Sequence, residues 1–163
     1  MVDVKVLILY DSVFGNTERI ALAISDALSG SAQVRVVKTG AANPEEFFDV
    51  DLAIVGSPTH RGKPTECFLK FLEQLHRKSV RGLPVAVFDT RYQMSSLLLG
   101  IYGSAARKLV SQLKKLGGLP VIAPESFIVC GREGPLENTE LTKARSWAKE
   151  ILEKHSIYID CKL

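Results

Sequence analysis

Short apolar runs, too brief to be helices, alternate along the chain with longer stretches that repeat apolar residues at helical spacing. This alternation limits the possible folds more than any other feature. Val4–Leu9, Val34–Val37, Leu52–Gly56, Pro84–Phe88 and Val121–Val129 read as strands, the last broken near Pro124. Their branched apolar content is that of strands buried on both faces. From Thr17 onward, Ile20, Ile24, Ala27 and Leu28 share one helical face. Pro64–Arg77 carries Phe68, Phe71, Leu72 and Leu75 at the same spacing, and Ser104–Leu116 turns Leu109, Val110, Leu113 and Leu116 inward. Leu141–Leu152 reads as the last helix, and Pro44–Phe48 as a short helical turn. The apolar run from Met94 to Tyr102 reads as the buried start of the fourth helix, with an exposed patch as the alternative. Strands and helices in this order predict an α/β fold with a parallel sheet covered on both faces. Right-handed crossovers make it a three-layer doubly wound sandwich, a five-stranded parallel sheet in the order 2-1-3-4-5.

Ligands of such sheets sit beyond the carboxyl ends of the strands, where the strand order reverses. The loops after the first, third and fourth strands flank that point. The turn after the first strand leads straight into a helix, so unpaired backbone N–H groups and the positive end of the helix dipole converge there. Ser12, Asn16 and Thr17 add side-chain donors, and Gly15 allows close approach of the backbone. No Lys or Arg lies inside the turn, so a phosphate there would be held by neutral donors. Gly15-Asn16-Thr17 alone would serve equally well as an ordinary helix start with a turn glycine. The loop after the third strand is not a nucleotide P-loop. That motif needs four residues between its glycines and a hydroxyl after Lys, whereas Ser57 to Arg61 separate Gly56 from Gly62 and Pro64 follows Lys63. A dinucleotide site would need further glycines beside Gly15, and a phosphoacceptor domain would need Asp where Ser57 and Pro58 stand.

Ile8, Leu9, Tyr10, Ser12, Gly15, Thr17, Ala21 and Ile24 together resemble the FMN-binding signature of the flavodoxin family. Simple flavodoxins usually carry Thr where this chain has Phe14; an aromatic there is more similar to the flavodoxin-like domains of flavodiiron proteins and to quinone reductases. The resemblance implies FMN as cofactor, with its phosphate at Ser12, Val13, Phe14, Gly15, Asn16 and Thr17. It implies that Pro58, Thr59, His60, Arg61 and Gly62 wall one face of the isoalloxazine ring, His60 and Arg61 standing where many flavodoxins place Trp. A backbone carbonyl of Arg61 or Gly62 is then the acceptor for flavin N5–H. Asp89, Thr90, Arg91 and Tyr92 match the family's second flavin loop, with Tyr92 stacked on the ring and the backbone of Thr90 to Tyr92 reading the pyrimidine edge.

At 163 residues the chain is long enough for one domain, residues 1–163, with a core that needs no disulfide. Its 21 basic and 18 acidic residues leave a net charge of +3, too small and too evenly spread to argue for nucleic acid. Acidic flavodoxins dock on basic partners, and this chain departs from that habit. The first strand starts almost at once, interrupted by Asp3 and Lys5, which leaves no room for a secretory signal or a membrane span. A cytoplasmic location is the expectation. Cys67, Cys130 and Cys161 are scattered and read as free thiols, Cys67 packing at its helix start. His60, His76 and His155 lack metal-ligand spacing. No constellation of acid, base or nucleophile occurs in the three loops.

The resemblance therefore implies an electron carrier rather than a self-sufficient oxidoreductase. It would cycle FMN between semiquinone and hydroquinone for partner oxidoreductases, as a monomer or homodimer. Two alternatives stand beside it: an NAD(P)H-dependent flavin or quinone reductase, which Phe14 and the loop around His60 favour, and a flavin-binding interaction domain.

Overall fold

The computed structural model describes residues 3–162. Strands β1 (Val4–Tyr10), β2 (Ala32–Lys38), β3 (Leu52–Pro58) and β4 (Pro84–Arg91) are joined by helices α1 (Asn16–Leu28), α2 (Glu66–Gln74) and α3 (Arg77–Val80). Then come α4 (Ser96–Tyr102), α5 (Ala105–Lys115), the short strands β5 (Leu119–Pro120) and β6 (Glu125–Ile128), and α6 (Glu140–Asp160). All pairings between these strands are parallel, in the order β2-β1-β3-β4-β5, with β6 also on β4. The doubly wound order expected from the sequence is the one observed.

The pleat explains why the central strands are apolar throughout. Alternate side chains point to opposite faces, so Val6 and Ile8 of β1, Ile54 of β3 and Phe88 of β4 join one core with Ile20, Ile24 and Trp147 of α1 and α6. Leu7, Leu9, Val55 and Val87 join the other, with Phe68 and Phe71 of α2 and Leu109 and Leu113 of α5. Phe88, Phe127 and Trp147 pack edge to face with centroids 5.8 to 6.1 Å apart. Each such ring contributes on the order of 2–3 kcal/mol by burial. A Cβ on Gly56 would lie 2.1 Å from the Phe88 ring, so β3 must be bare there for the ring to fit.

The elements differ from expectation where tertiary contacts decide their ends. The expected fifth strand, Val121–Val129, is two segments that start earlier, at Leu119; Pro120 and Pro124 supply no N–H to the ladder, and after the Val121 N–H bond to the Val85 carbonyl, residues 122–124 leave it. A sixth strand is thereby added to the five expected. The helix expected over Pro64–Arg77 runs only from Glu66 to Gln74, because Thr65 caps it through Phe68 N–H and Leu75 turns extended before α3. Ser104 is the cap of α5, accepting from Arg107 N–H, rather than its first residue. The last helix continues past Leu152 to Asp160, held there by His155, whose Nε2 lies 3.2 Å from the Asp51 carbonyl.

Two packing expectations are corrected. The run Met94–Tyr102 is not the buried start of the following helix. It forms α4, which has no buried residue, with Leu97 72% and Ile101 67% exposed. Gly103, at φ 75°, breaks α4 from α5, so its apolar face does not continue the one that α5 buries. Cys67 is exposed rather than packed; its Sγ lies 3.6 Å from Thr39 Oγ1.

Candidate functional site

A cleft of about 610 Å³ opens at the carboxyl ends of β1, β3 and β4. Ser12, Val13, Phe14, Asn16 and Thr17 form one wall, Pro58, Thr59, His60 and Arg61 a second, and Thr90, Arg91 and Tyr92 a third. Val129 and Arg132 close it from the segment after β6. Of the residues expected from the sequence, Gly15, Gly62 and Asp89 do not line the cleft.

The first wall is a helix start without a side-chain cap. Gly15 takes the N-cap position of α1 at φ 90°, a left-handed conformation that glycine adopts without strain, and brings no side chain to cover the first N–H groups. Its own N–H donates to Ser12 Oγ at 3.1 Å, which closes the turn. Thr17 and Thr90 share a buried hydroxyl–hydroxyl bond of 2.8 Å, tying this wall to the third. Asn16 Nδ2 donates to the Glu133 carbonyl at 3.0 Å, tying it to the segment after β6. Beneath the turn, Thr65 Oγ1 donates to the buried carboxylate of Asp11. Burial, with the Glu18 carboxylate nearby, raises the pKa of the Tyr10 phenol.

The second wall ends in a tight hairpin. His60 and Lys63 exchange both backbone hydrogen bonds, 2.8 and 3.0 Å, around Arg61 at φ 50° and Gly62 at φ 75°. Positive φ at both central residues is the signature of a type I′ turn. A Cβ on Gly62 would sit 1.8 Å from the Tyr102 carbonyl oxygen, so Gly62 lies under the loop, against the end of α4.

Asp89 is fully buried and works behind the cleft. Its Oδ2 accepts from Thr59 Oγ1 at 2.9 Å and from Ala106 N–H at 3.1 Å, while Thr59 Oγ1 itself accepts from Ala105 N–H at 2.9 Å. Together Asp89 and Thr59 cap α5 and hold the second wall to β4. Among the described residues Asp89 Oδ1 has no hydrogen-bond partner, and Arg91 Nε lies 3.7 Å away. Arg91 is fixed further by Ser126 Oγ at 3.1 Å and the Tyr92 carbonyl at 3.1 Å.

Two features define what the cleft can hold. Phe14 and Tyr92 leave 44% and 45% of their surface exposed on its walls, available for contact with a planar ring. Arg61, Arg91 and Arg132 line it with His60, whereas no Asp or Glu does, so its field favours an anion.

Val129 and Arg132 were not foreseen. The signal was present, because all strands of a parallel sheet end on one side, and the Gly131-Arg132-Glu133-Gly134 turn follows the strand next to β4.

Fold and site together define a doubly wound α/β protein with an arginine-lined cleft at the reversal of strand order. The chain belongs to the flavodoxin family: residues 7–97, more than half of it, match the family model described as a flavodoxin domain. Among solved structures it is similar to flavodoxin 1 from Bacillus cereus, at 21% identity and a TM-score of 0.76 over 91% of this chain and 97% of that one. Flavodoxin 2 from Bacillus cereus is 25% identical, with a TM-score of 0.75 over 92% and 99% of the two chains. Rubredoxin oxygen:oxidoreductase from Desulfovibrio gigas is 18% identical with a TM-score of 0.74, and there the match covers 95% of this chain but 37% of the other. No curated protein matches in sequence.

Proposed function

We propose that this protein is an FMN-binding electron carrier of the flavodoxin type, passing electrons between partner oxidoreductases. The observation that carries the reading is the cleft itself, which joins an uncapped helix N-terminus to an exposed Tyr92 and three arginines, with no carboxylate in its lining. Its volume lies within the range of cofactor sites. The residues fit the group: backbone N–H groups of the 12–17 turn would take the phosphate, the loops at His60 and Tyr92 would flank the ring, and the backbone of Thr90 to Tyr92 would meet its polar edge. Bound FMN would supply reversible electron uptake. The chain's own part is to orient the ring, shield it from water and favour its negative charge through Arg61.

Among the described residues, no side-chain hydrogen bond positions the His60 imidazole or the Tyr92 phenol in the lining. This favours a carrier over a reductase. The same reading takes residues 1–163 as one flavodoxin-like unit, and the free cysteines support a reducing, cytoplasmic setting. No helix among the described residues is long and apolar enough to cross a membrane.

The test is a titration of flavin-free protein with FMN, followed by flavin fluorescence, with riboflavin and FAD as controls. Tight quenching by FMN and a much weaker effect of riboflavin are expected; absence of FMN binding would refute the reading. Steady NADPH oxidation in the presence of a quinone would move the assignment to a reductase.

A further inference from the structure

The turn at Ser12 to Thr17 contains no cation, and part of its neutral donor capacity is already engaged. Thr17 Oγ1 is bonded to Thr90, Asn16 gives one amide hydrogen to the Glu133 carbonyl, and Ser12 Oγ receives the Gly15 N–H. A phosphate dianion at the N-terminus of α1 would have its charge only partly offset by what is left, since a helix N-terminus is equivalent to about half a positive charge.

The missing charge is brought by the segment after β6. Gly134 N–H donates to the Gly131 carbonyl at 3.1 Å, closing a tight turn with Arg132 and Glu133 at its centre. Cys130 N–H to the Pro135 carbonyl at 2.8 Å and Glu137 N–H to the Ile128 carbonyl at 3.0 Å hold its base. The turn is pressed onto the phosphate loop. The Glu133 carbonyl accepts from Asn16, and a Cβ on Gly134 would lie 2.7 Å from Asn16 Oδ1. Arg132, one residue before that carbonyl, lines the cleft together with Ser12, Asn16 and Thr17, and it takes part in no ion pair among the described residues.

We propose that Arg132 is the charged ligand of the cofactor phosphate and sets the preference for phosphorylated over unphosphorylated flavin. The inference rests on the FMN reading and deepens it: the discrimination comes from an arginine supplied across the cleft, at the end of the fold opposite in sequence to the turn it serves. A guanidinium suits this role because it stays charged at any working pH and can face two phosphate oxygens at once. Because Arg132 is exposed and unpaired, its replacement leaves the core untouched.

The experiment compares wild type, Arg132→Gln and Arg132→Lys in titrations of flavin-free protein with FMN and with riboflavin, at low and high salt. Arg132→Gln is expected to weaken FMN about tenfold at low salt, to leave riboflavin unchanged, and to flatten the salt dependence of FMN binding. Arg132→Lys should recover part of the loss. Unchanged FMN affinity in Arg132→Gln, or an equal loss for FMN and riboflavin, would overturn the proposal. A second measurement separates this from the reading beneath it. The thermal midpoint of each flavin-free protein is followed against inorganic phosphate. A rise in wild type that Arg132→Gln lacks supports an anion site built on Arg132, even if wild type were to take up no FMN, an outcome that would refute the carrier alone. No difference between the two proteins would overturn the site.

Discussion

Asp89 shows how far a residue's role depends on where its neighbours lie. In sequence it stands three places before Tyr92 and reads as part of a cofactor loop; in the fold it is sealed behind the cleft, capping α5 and holding Thr59. Removing the carboxylate strands the buried Ala106 N–H and the half-buried Thr59 hydroxyl and leaves Arg91 without its nearest opposite charge. Asp89→Ala is expected to cost about 2–4 kcal/mol in urea unfolding, the cost of unpaired buried groups and a lost cap. A loss below about 0.5 kcal/mol would mean that the clamp does not matter to the fold. Gly62 is similar: the sequence reads it as part of the ring wall, whereas it lies under the loop, its place set by contact with the Tyr102 carbonyl. Neither contact is visible to a reading of spacing, because each joins residues that the crossovers bring together.

At the scale of elements, periodicity served well wherever a segment packs on the sheet. β1, β3, β4, α1 and α5 fall close to their expected bounds because each buries a regular apolar stripe. It failed for α4, whose Leu97, Leu98, Ile101 and Tyr102 are as apolar as any core helix and yet face outward. Composition alone cannot distinguish the two, since the break at Gly103 decides which way the stripe points. Replacing Leu97 and Ile101 together by Ser should therefore change unfolding free energy by less than about 1 kcal/mol, as for ordinary surface positions. A drop of about 3 kcal/mol or more in thermal or urea unfolding would show that these side chains are buried in solution.

For the molecule as a whole, charge matters more than shape. A cleft lined by Arg61 and Arg132 and by no carboxylate stabilises added negative charge, whereas the charge of Arg91 is partly met by Asp89 behind it. Each cation near the ring, partly screened, contributes roughly 1 kcal/mol, which is about 40 mV in a one-electron couple. The lower of the two one-electron potentials of bound FMN should then be less negative than in acidic flavodoxins, and Arg61→Gln should shift it by about 40 mV toward more negative values. A redox titration with indicator dyes reads both. A potential as low as that of acidic relatives, unmoved by the substitution, would remove the electrostatic account.

The alternation of apolar strands with amphipathic helices determined the doubly wound sheet and its order, because burial on both faces leaves a parallel arrangement few alternatives. The turn at Ser12 to Thr17 determined where an anion would be received, since a strand leading directly into a helix exposes backbone N–H groups whatever surrounds it. Only the tertiary structure decided which charges face that point. Arg132 lines the same cleft as that turn, Asp89 is sealed behind it, and the apolar run of α4 stays outside. Each of these outcomes follows from contacts between segments far apart in the chain, whose geometry local spacing does not encode.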